Sequence, residues 1–198
     1  EIRRLAREIL RDPVNIEVSP RRSAPPVGVR QTLLPVAVGR KRDLLAHLLE
    51  TEARGLTLVF TRTKHGANKL ARHLEGHGHS VALLHGNRSQ SQRTQALAAF
   101  KGKRIRVMVA TDIAARGIDV DGIAHVVNFD LPNVPEDYVH RIGRTARAGA
   151  TGDALSLVSP EDQPHVRGIE ALIGRAIERR VIQGFADGGA ASSRRCPA

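Results

Sequence analysis

The segment from His140 to Gly149 reads HRIGRTARAG and places four charged or chargeable side chains within eight positions: His140, Arg141, Arg144 and Arg147. The three arginines are spaced at intervals of three, so on a helix they would project from one side as a cationic ridge. A planar guanidinium is well suited to bind phosphate oxygens. The alternative to a phosphate-binding role is that the arginines simply form a solvent-exposed face of a helix. Gly143 and Gly149 argue against it, because glycine costs a helix about 1 kcal/mol and suggests a sharp turn or a close backbone approach.

The elements that must position this segment are read from short apolar runs. The predicted strands are Val29 to Val38, Leu56 to Phe60, Val81 to Leu84, Val107 to Ala110, Ala124 to Phe129 and Ala154 to Val158. Helical stripes lie between them, and strand and helix alternate five times along the chain. This alternation predicts an α/β fold, a doubly wound parallel sheet with helices on both faces. Pro35 indicates that the first of these strands lies at an edge.

The chain divides into three parts. Residues 1–26 hold a helical pattern that stops before Asp12-Pro13 and then the linker-like SPRRSAPP from Ser19 to Pro26, so we interpret them as the end of a preceding lobe and an interdomain linker. Residues 27–183 are predicted to form one domain, and residues 184–198 a disordered tail. The chain begins with Glu1 and not with Met, from which we expect an excised fragment or a processed chain.

The charge balance points to an anionic partner. The chain has 31 Lys and Arg against 20 Asp and Glu, a net charge of +11, and nucleic acid is the first candidate. Aromatic residues make up only 3% of the chain, so contacts to the backbone of the nucleic acid are expected and base stacking is not.

Cys196 is the single cysteine, which indicates a reducing compartment and no thiolate metal site. No apolar run reaches the length of a membrane span, and a cytoplasmic location is predicted.

Polar loops follow the predicted strands and should be considered together. They read TRTK, HGNRSQSQR, TDIAARGID and the arginine segment, and a parallel sheet would bring them to its carboxyl edge. Such an edge, rich in donors, suits a polyphosphate. Thr63, Ser89 and Thr111 also stand where helix N-caps belong, so capping remains open as their role.

These loops resemble the second RecA-like lobe of DEAD-box RNA helicases. VFTRTK (Val59 to Lys64) is similar to motif IV of that family, QSQR (Gln90 to Arg93) to its QxxR element, ATDIAARGIDV (Ala110 to Val120) to motif V, and HRIGRTARAG to motif VI. The four occur in the family's order, and together they are far more specific than any one alone. NFDLP and GDALSLVSPED are also similar, nearest to the bacterial RhlE-like group. The resemblance implies a RecA-like, three-layer αβα domain.

The resemblance also implies roles for single residues. Arg144 and Arg147 resemble the catalytic arginine fingers that reach the γ-phosphate of ATP, and the implied nucleotide-binding set adds Gly117 and Asp119. The positions implied to contact the acidic ATPase motif of the other lobe are His140 and Arg141. Those implied to hold the RNA sugar-phosphate backbone, without reading sequence, are Arg62, Gly86, Arg93 and Thr111. Ala146 departs from the family's usual glycine; a positive φ there would strain alanine, whereas a helical φ would cost nothing.

Two motifs of a complete ATPase are not found in the sequence. There is no G-x-x-x-x-G-K-[ST] and no DEAD-like acidic motif, so ATP and Mg²⁺ are expected to be held by an N-terminal RecA-like lobe of the same protein, and no metal site is predicted here. The chain alone is expected to be inactive, and the whole protein is expected to be a bacterial, monomeric ATP-dependent RNA helicase. The alternatives are a translocase of a neighbouring superfamily 2 group, disfavoured by His140 and NFDLP, and a stand-alone, non-catalytic basic RNA-binding module.

Overall fold

A computed structural model of the chain describes residues 9–10, 26–115, 118–147 and 149–185. Most of the predicted linker segment and residues 186–198 of the predicted tail lie outside this range. The strands are β1 (Val29–Pro35), β2 (Leu56–Phe60), β3 (Val81–Leu84), β4 (Val107–Ala110), β5 (Ile123–Asn128), β6 (Gly152–Val158) and β7 (Glu178–Arg179). The helices are α1 (Lys41–Thr51), α2 (Lys64–Gly76), α3 (Gln90–Lys101), α4 (Asp112–Ala115), α5 (Pro135–Ile142) and α6 (Gln163–Ile173). Two short 3₁₀ helices, Val38–Arg40 and Pro160–Asp162, precede α1 and α6.

The strands form one sheet in the order β3-β4-β2-β5-β6-β1-β7, and each neighbouring pair is parallel. Parallel neighbours need a crossover, and the helices between the strands supply it. The prediction of a doubly wound parallel α/β sheet is therefore confirmed. All parallel strands run the same way, so the loops that follow β2, β3, β4 and β5 leave from a single edge.

Local sequence signals set where two of the helices begin. The Thr63 hydroxyl accepts a hydrogen bond from the backbone N–H of Gly66 at the start of α2. Ser89 and Gln92 form a reciprocal capping box at the start of α3, which satisfies two backbone donors that the helix itself cannot pair. Capping is thus an observed role of Thr63 and Ser89.

Apolar side chains on the two faces of the sheet explain the layers. On one face, α1 and α2 pack over residues such as Val59, Val109 and Leu157. On the other face, Phe100 of α3 packs with Leu58 and Met108, and α5 and α6 pack farther along against β1 and β6. Every residue of β2 is buried, as expected for a central strand covered on both sides.

The expected edge position of β1 is wrong. β1 lies between β6 and β7. β7 has only two residues, however, and pairs with Thr32 and Leu33 alone, so Pro35 lies beyond the end of that pairing. Proline lacks the backbone N–H that a longer pairing with β7 would require. Because β7 pairs only with Thr32 and Leu33, no hydrogen bond from Pro35 to β7 is needed.

Candidate functional site

The loops that follow the central strands are joined to one another by hydrogen bonds. The Thr111 N–H, after β4, donates to Leu84 O at the end of β3. The N–H groups of Phe129 and Asp130, after β5, donate to Phe60 O at the end of β2, and the Asp130 carboxylate accepts from the Arg62 N–H at 2.9 Å. The structure therefore brings together the polar segments that the sequence places after these strands.

Arg141 is the centre of this edge. Its side chain is 2% exposed and donates to the Asp112 carboxylate through Nε at 2.5 Å and Nη2 at 2.7 Å. Its Nη1 donates to the side-chain oxygen of Asn128 at 3.1 Å and to Asp130 O at 2.7 Å, and the guanidinium lies over the Phe60 ring at 4.9 Å. Arg141 thereby links the ends of β2 and β5 to the first turn of α4.

The partners of Arg141 are not evident from the sequence. An acid at the start of a helix, such as Asp112, reads as an ordinary cap, and Asn128 lies within an apolar strand. An amide in such a run is itself a signal, because a buried polar side chain needs hydrogen-bond partners. Asn128 is fully buried and also donates to the Ser156 hydroxyl at 3.1 Å.

The predicted helical ridge of three arginines is wrong. Helix α5 ends at Ile142, and Gly143 is its C-cap, so only Arg141 lies on the helix. Arg144 and Arg147 lie in the turns that follow, while Arg141 points into the interior. A spacing of three residues places side chains on one face only within a helix. Because this helix ends at Gly143, the spacing does not determine where the side chains of Arg144 and Arg147 project.

Ala146 has a φ of +54°, in the left-handed region. The neighbouring Thr145 is buried, and its hydroxyl donates to Ile123 O, which fixes the chain on one side of the turn. The side chain of Ala146 packs against the apolar cluster that includes Val29 and Ile142. An L-residue in this conformation is strained by roughly 1–2 kcal/mol. The departure from glycine at this position therefore carries strain.

Replacement of Ala146 by glycine is expected to raise the free energy of unfolding by about 0.5–1 kcal/mol, because the relief of strain exceeds the added freedom of the unfolded chain. Chemical denaturation monitored by circular dichroism measures it. Ala98→Gly is the matched control: Ala98 is exposed within α3, where glycine should lower the free energy of unfolding by about 1 kcal/mol. A loss of stability at both positions would contradict the assignment of strain to Ala146.

The two remaining arginines lie next to each other beside the predicted nucleotide residue Asp119. Arg144 donates through Nη1 to Ile118 O at 3.0 Å, and Arg147 donates through Nη1 to the Asp119 carboxylate at 3.0 Å. Burial and the nearby Arg147 lower the pKa of Arg144, and Asp119 opposes this change. Asp119 is 88% exposed, so its bond to Arg147 is open to exchange with a ligand. Two adjacent guanidiniums, of which only Arg147 is bonded to the exposed carboxylate, form a site suited to an anion.

His140 and Arg144 line an open cleft with Phe60, Asp112 and Arg141. The His140 side chain is exposed, and its Nδ1 lies 3.9 Å from the Asp137 carboxylate. His140 therefore faces outward from this edge, whereas Arg141, for which the same inter-lobe role is expected, is engaged inside the chain. Gly117, expected to bind the nucleotide, lies outside the described residues.

The four residues expected to contact RNA lie in the segments that follow β2, β3 and β4. Arg62 donates through Nη2 to Leu131 O at 3.3 Å, and Arg93 lies in the first turn of α3 with an inaccessible Nε that has no partner among the described residues. Thr111 follows β4 directly, and its carbonyl accepts from the N–H groups of Ala114 and Ala115. Gly86 is exposed after β3, and a Cβ there would meet nothing within 4 Å. No contact within the described part of the chain therefore requires glycine at that position.

Over the ranges described, there is no group of three or more His, Cys, Asp or Glu residues arranged to hold a metal ion. The same ranges include no helix that is long and apolar enough to cross a membrane.

Comparisons with known proteins agree on one family. Residues 40–149 match the family model of the helicase conserved C-terminal domain. The DEAD-box ATP-dependent RNA helicase CshA of Geobacillus kaustophilus is 42% identical over 178 residues, which are 90% of this chain and 38% of that protein. CshA of Bacillus subtilis is 40% identical over 178 residues and is covered to 36%. The chain thus spans well under half the length of these curated relatives.

Solved structures show the same fold. The Escherichia coli DEAD-box protein SrmB, in a complex with regulator of ribonuclease activity A, superimposes with a TM-score of 0.78 at 36% identity. The match covers 84% of this chain and 98% of the SrmB chain. Dbp5 of Saccharomyces cerevisiae, bound to RNA and ADP BeF3, has a TM-score of 0.78 at 29% identity, with 91% of this chain and 48% of Dbp5 covered.

Proposed function

The chain belongs to the helicase conserved C-terminal domain family, within the DEAD-box RNA helicases, and from this premise we propose that it supplies the arginine fingers and half of the RNA-binding surface of a bacterial ATP-dependent RNA helicase. The other half of both sites would come from an N-terminal RecA-like lobe of the same protein. The observation that carries the proposal is the adjacent pair Arg144 and Arg147, held at the carboxyl edge of the sheet beside Asp119.

In the nucleotide site, Arg144 and Arg147 stabilise the charge that develops on the γ-phosphate during hydrolysis. Arg147 first exchanges its bond to Asp119 for one to the phosphate, and the freed carboxylate then accepts from a hydroxyl of the ribose. The exchange is easy because Asp119 is almost fully exposed. ATP would supply the phosphoryl group, and Mg²⁺ would be bound by the N-terminal lobe.

Arg141 has a different role, as a positioning residue. Its guanidinium donates to the chain itself, so few donors remain for the other lobe. It holds Asp112 of motif V against α5, the helix whose last turn leads directly to Arg144. The nucleotide-facing and RNA-facing loops are thereby one rigid unit. His140, which is exposed beside the cleft, remains our candidate for contact with the acidic motif of the N-terminal lobe.

In the RNA site, Arg62, Gly86, Arg93 and Thr111 bind the sugar-phosphate backbone. Dbp5, a structural relative, has been solved with RNA bound. The open space around Gly86 permits a close approach of a phosphate to the main chain, and Arg93 adds positive charge from the first turn of α3. With so few aromatic residues, recognition is independent of base sequence. We place the complete enzyme in the bacterial cytoplasm as a monomer.

The RNA half of the proposal can be tested on this chain. The affinity for single-stranded RNA should fall with salt, with a logarithmic slope of about 0.7 per phosphate contacted, and should differ little between sequences of equal length. Arg93→Ala should lower the affinity for every sequence and reduce the slope by less than one unit. Fluorescence anisotropy of labelled oligonucleotides, titrated at several salt concentrations, measures both quantities.

Arg54→Ala is the control for a general loss of charge, because Arg54 is exposed just before β2, at the opposite edge of the sheet. Its effect should be clearly smaller than that of Arg93→Ala. A strong preference for one short sequence that survives high salt would be incompatible with backbone-only recognition.

A further inference from the structure

The positive charge of the chain is concentrated in one continuous part of the fold. From Ala53 to Thr111 there are eleven Lys and Arg residues and a single acid, Glu75. This stretch thus accounts for ten of the eleven net positive charges of the chain. It contains β2, β3 and β4, which are neighbours in the sheet, together with α2 and α3. The excess charge therefore covers one half of the domain.

At the carboxyl edge of this half, the loop after β3 is fixed to helix α2 through His85. The His85 side chain is buried; its Nδ1 accepts from the Asn87 N–H at 3.3 Å, so its Nε2 carries the proton and donates to the Asn68 side-chain oxygen at 3.2 Å. Burial lowers the pKa of His85, and the nearby charges of Arg88 and Lys64 lower it further. The loop is thus held in one conformation, with two cations close to a neutral imidazole.

Lys64 and Arg88 both lie next to the anchored Asn87. The exposed Lys64 donates to the Asn87 side-chain oxygen at 3.1 Å, and Arg88 follows Asn87 in sequence. Arg88 is half-buried, and its Nε is inaccessible and has no partner among the described residues. Among the residues that the structure describes, neither Lys64 nor Arg88 forms a salt bridge with a carboxylate. No carboxylate among the described residues therefore compensates these two charges, and Arg88 lies two residues after Gly86, whose backbone is unobstructed.

We propose that Lys64 and Arg88 form an additional phosphate-binding subsite, which extends the path of single-stranded RNA from Gly86 and Arg93 onto the first turn of α2. The ligand is the phosphodiester backbone, because Lys64 and Arg88 offer point charge and donors but no aromatic surface for a base. The inference rests on the proposed function and adds two residues to its RNA site.

The test removes each charge and measures the salt dependence of binding to a labelled ten-nucleotide oligouridylate. Lys64→Gln and Arg88→Gln should each lower the logarithmic slope by about 0.7, and the double variant by about twice that amount. At low salt each single variant should bind several-fold more weakly. Arg88→Lys keeps the charge and should keep most of the slope, which separates lost charge from a disturbed loop.

Lys101→Gln and Arg104→Gln are the matched controls, since both residues are exposed in the same basic half but lie at the opposite end of α3. If the subsite variants behave like these controls while Arg93→Ala still weakens binding, the subsite is refuted and the RNA site stands. If the unmodified chain shows no salt-dependent RNA binding, the proposed RNA function fails and the subsite with it. A loss of ATP binding with unchanged RNA binding would also overturn the inference.

Discussion

Alanine in place of Arg144 or Arg147 is expected to slow ATP turnover of the two-lobe enzyme by about 10³- to 10⁵-fold, the range typical of arginine fingers in phosphoryl transfer. This loss corresponds to roughly 4–7 kcal/mol of transition-state stabilisation. Both guanidiniums lie beside Asp119, and one of the Arg144 nitrogens is already used by the carbonyl of Ile118, which aims the rest of the group. Steady-state phosphate release at saturating RNA and ATP gives the turnover rates.

RNA affinity supplies the internal control for this prediction, because neither arginine belongs to the proposed RNA-binding residues, and affinity should therefore change far less than turnover. Lysine at position 144 should restore little activity, since an ammonium cannot bond both Ile118 and a phosphate with the same geometry. The chain without the N-terminal lobe should show no detectable hydrolysis. Turnover that survives in either alanine variant would remove that residue from catalysis.

Arg141→Ala is expected to lower the free energy of unfolding of the chain by about 3–5 kcal/mol, because it leaves the carboxylate of Asp112 and the oxygens of Asn128 and Asp130 without their donor. The side chain is also stacked on Phe60, and that contact is lost. Asp112 keeps about 30% of its side-chain surface in contact with solvent, which favours the lower part of the range. Urea denaturation followed by circular dichroism measures the change.

A double-mutant cycle with Asp112→Ala tests the cause. If an unpaired carboxylate is responsible for much of the loss, the double variant should be more stable than the sum of the single effects predicts, by about 1–3 kcal/mol. Additive single effects would show that the stabilisation by Arg141 does not depend on the carboxylate of Asp112.

Local signals were enough to place most of the elements. The apolar run from Leu56 to Phe60 is the observed strand, and Ser89 followed by Gln92 forms the predicted capping box, because both features depend on residues close together in the chain. The same signals also predict that the polar loops lie together, because the loops that follow parallel strands all leave the sheet at its carboxyl edge.

What the sequence does not reveal depends on distant partners. From the sequence, Arg141 resembles the other two arginines of an exposed series. In the structure it is buried and bonded to Asp112, which lies 29 residues earlier in the chain. Gly143 marks the end of the helix, although the spacing of the three arginines predicted a helix that continues past it. The left-handed turn at Ala146 follows from the anchoring of Thr145 to the start of β5, which no window of neighbouring residues contains.

The uneven distribution of charge gives the whole domain a permanent electric dipole. Its positive end lies over the β3-β4-β2 half, because the rest of the chain is nearly neutral, with 20 Lys and Arg against 19 acids. A polyanion that approaches by diffusion exerts a torque on this dipole before any atom is in contact. If RNA is the ligand, as proposed, the domain is expected to approach it with its basic half leading, and salt should slow the association as well as weaken the complex.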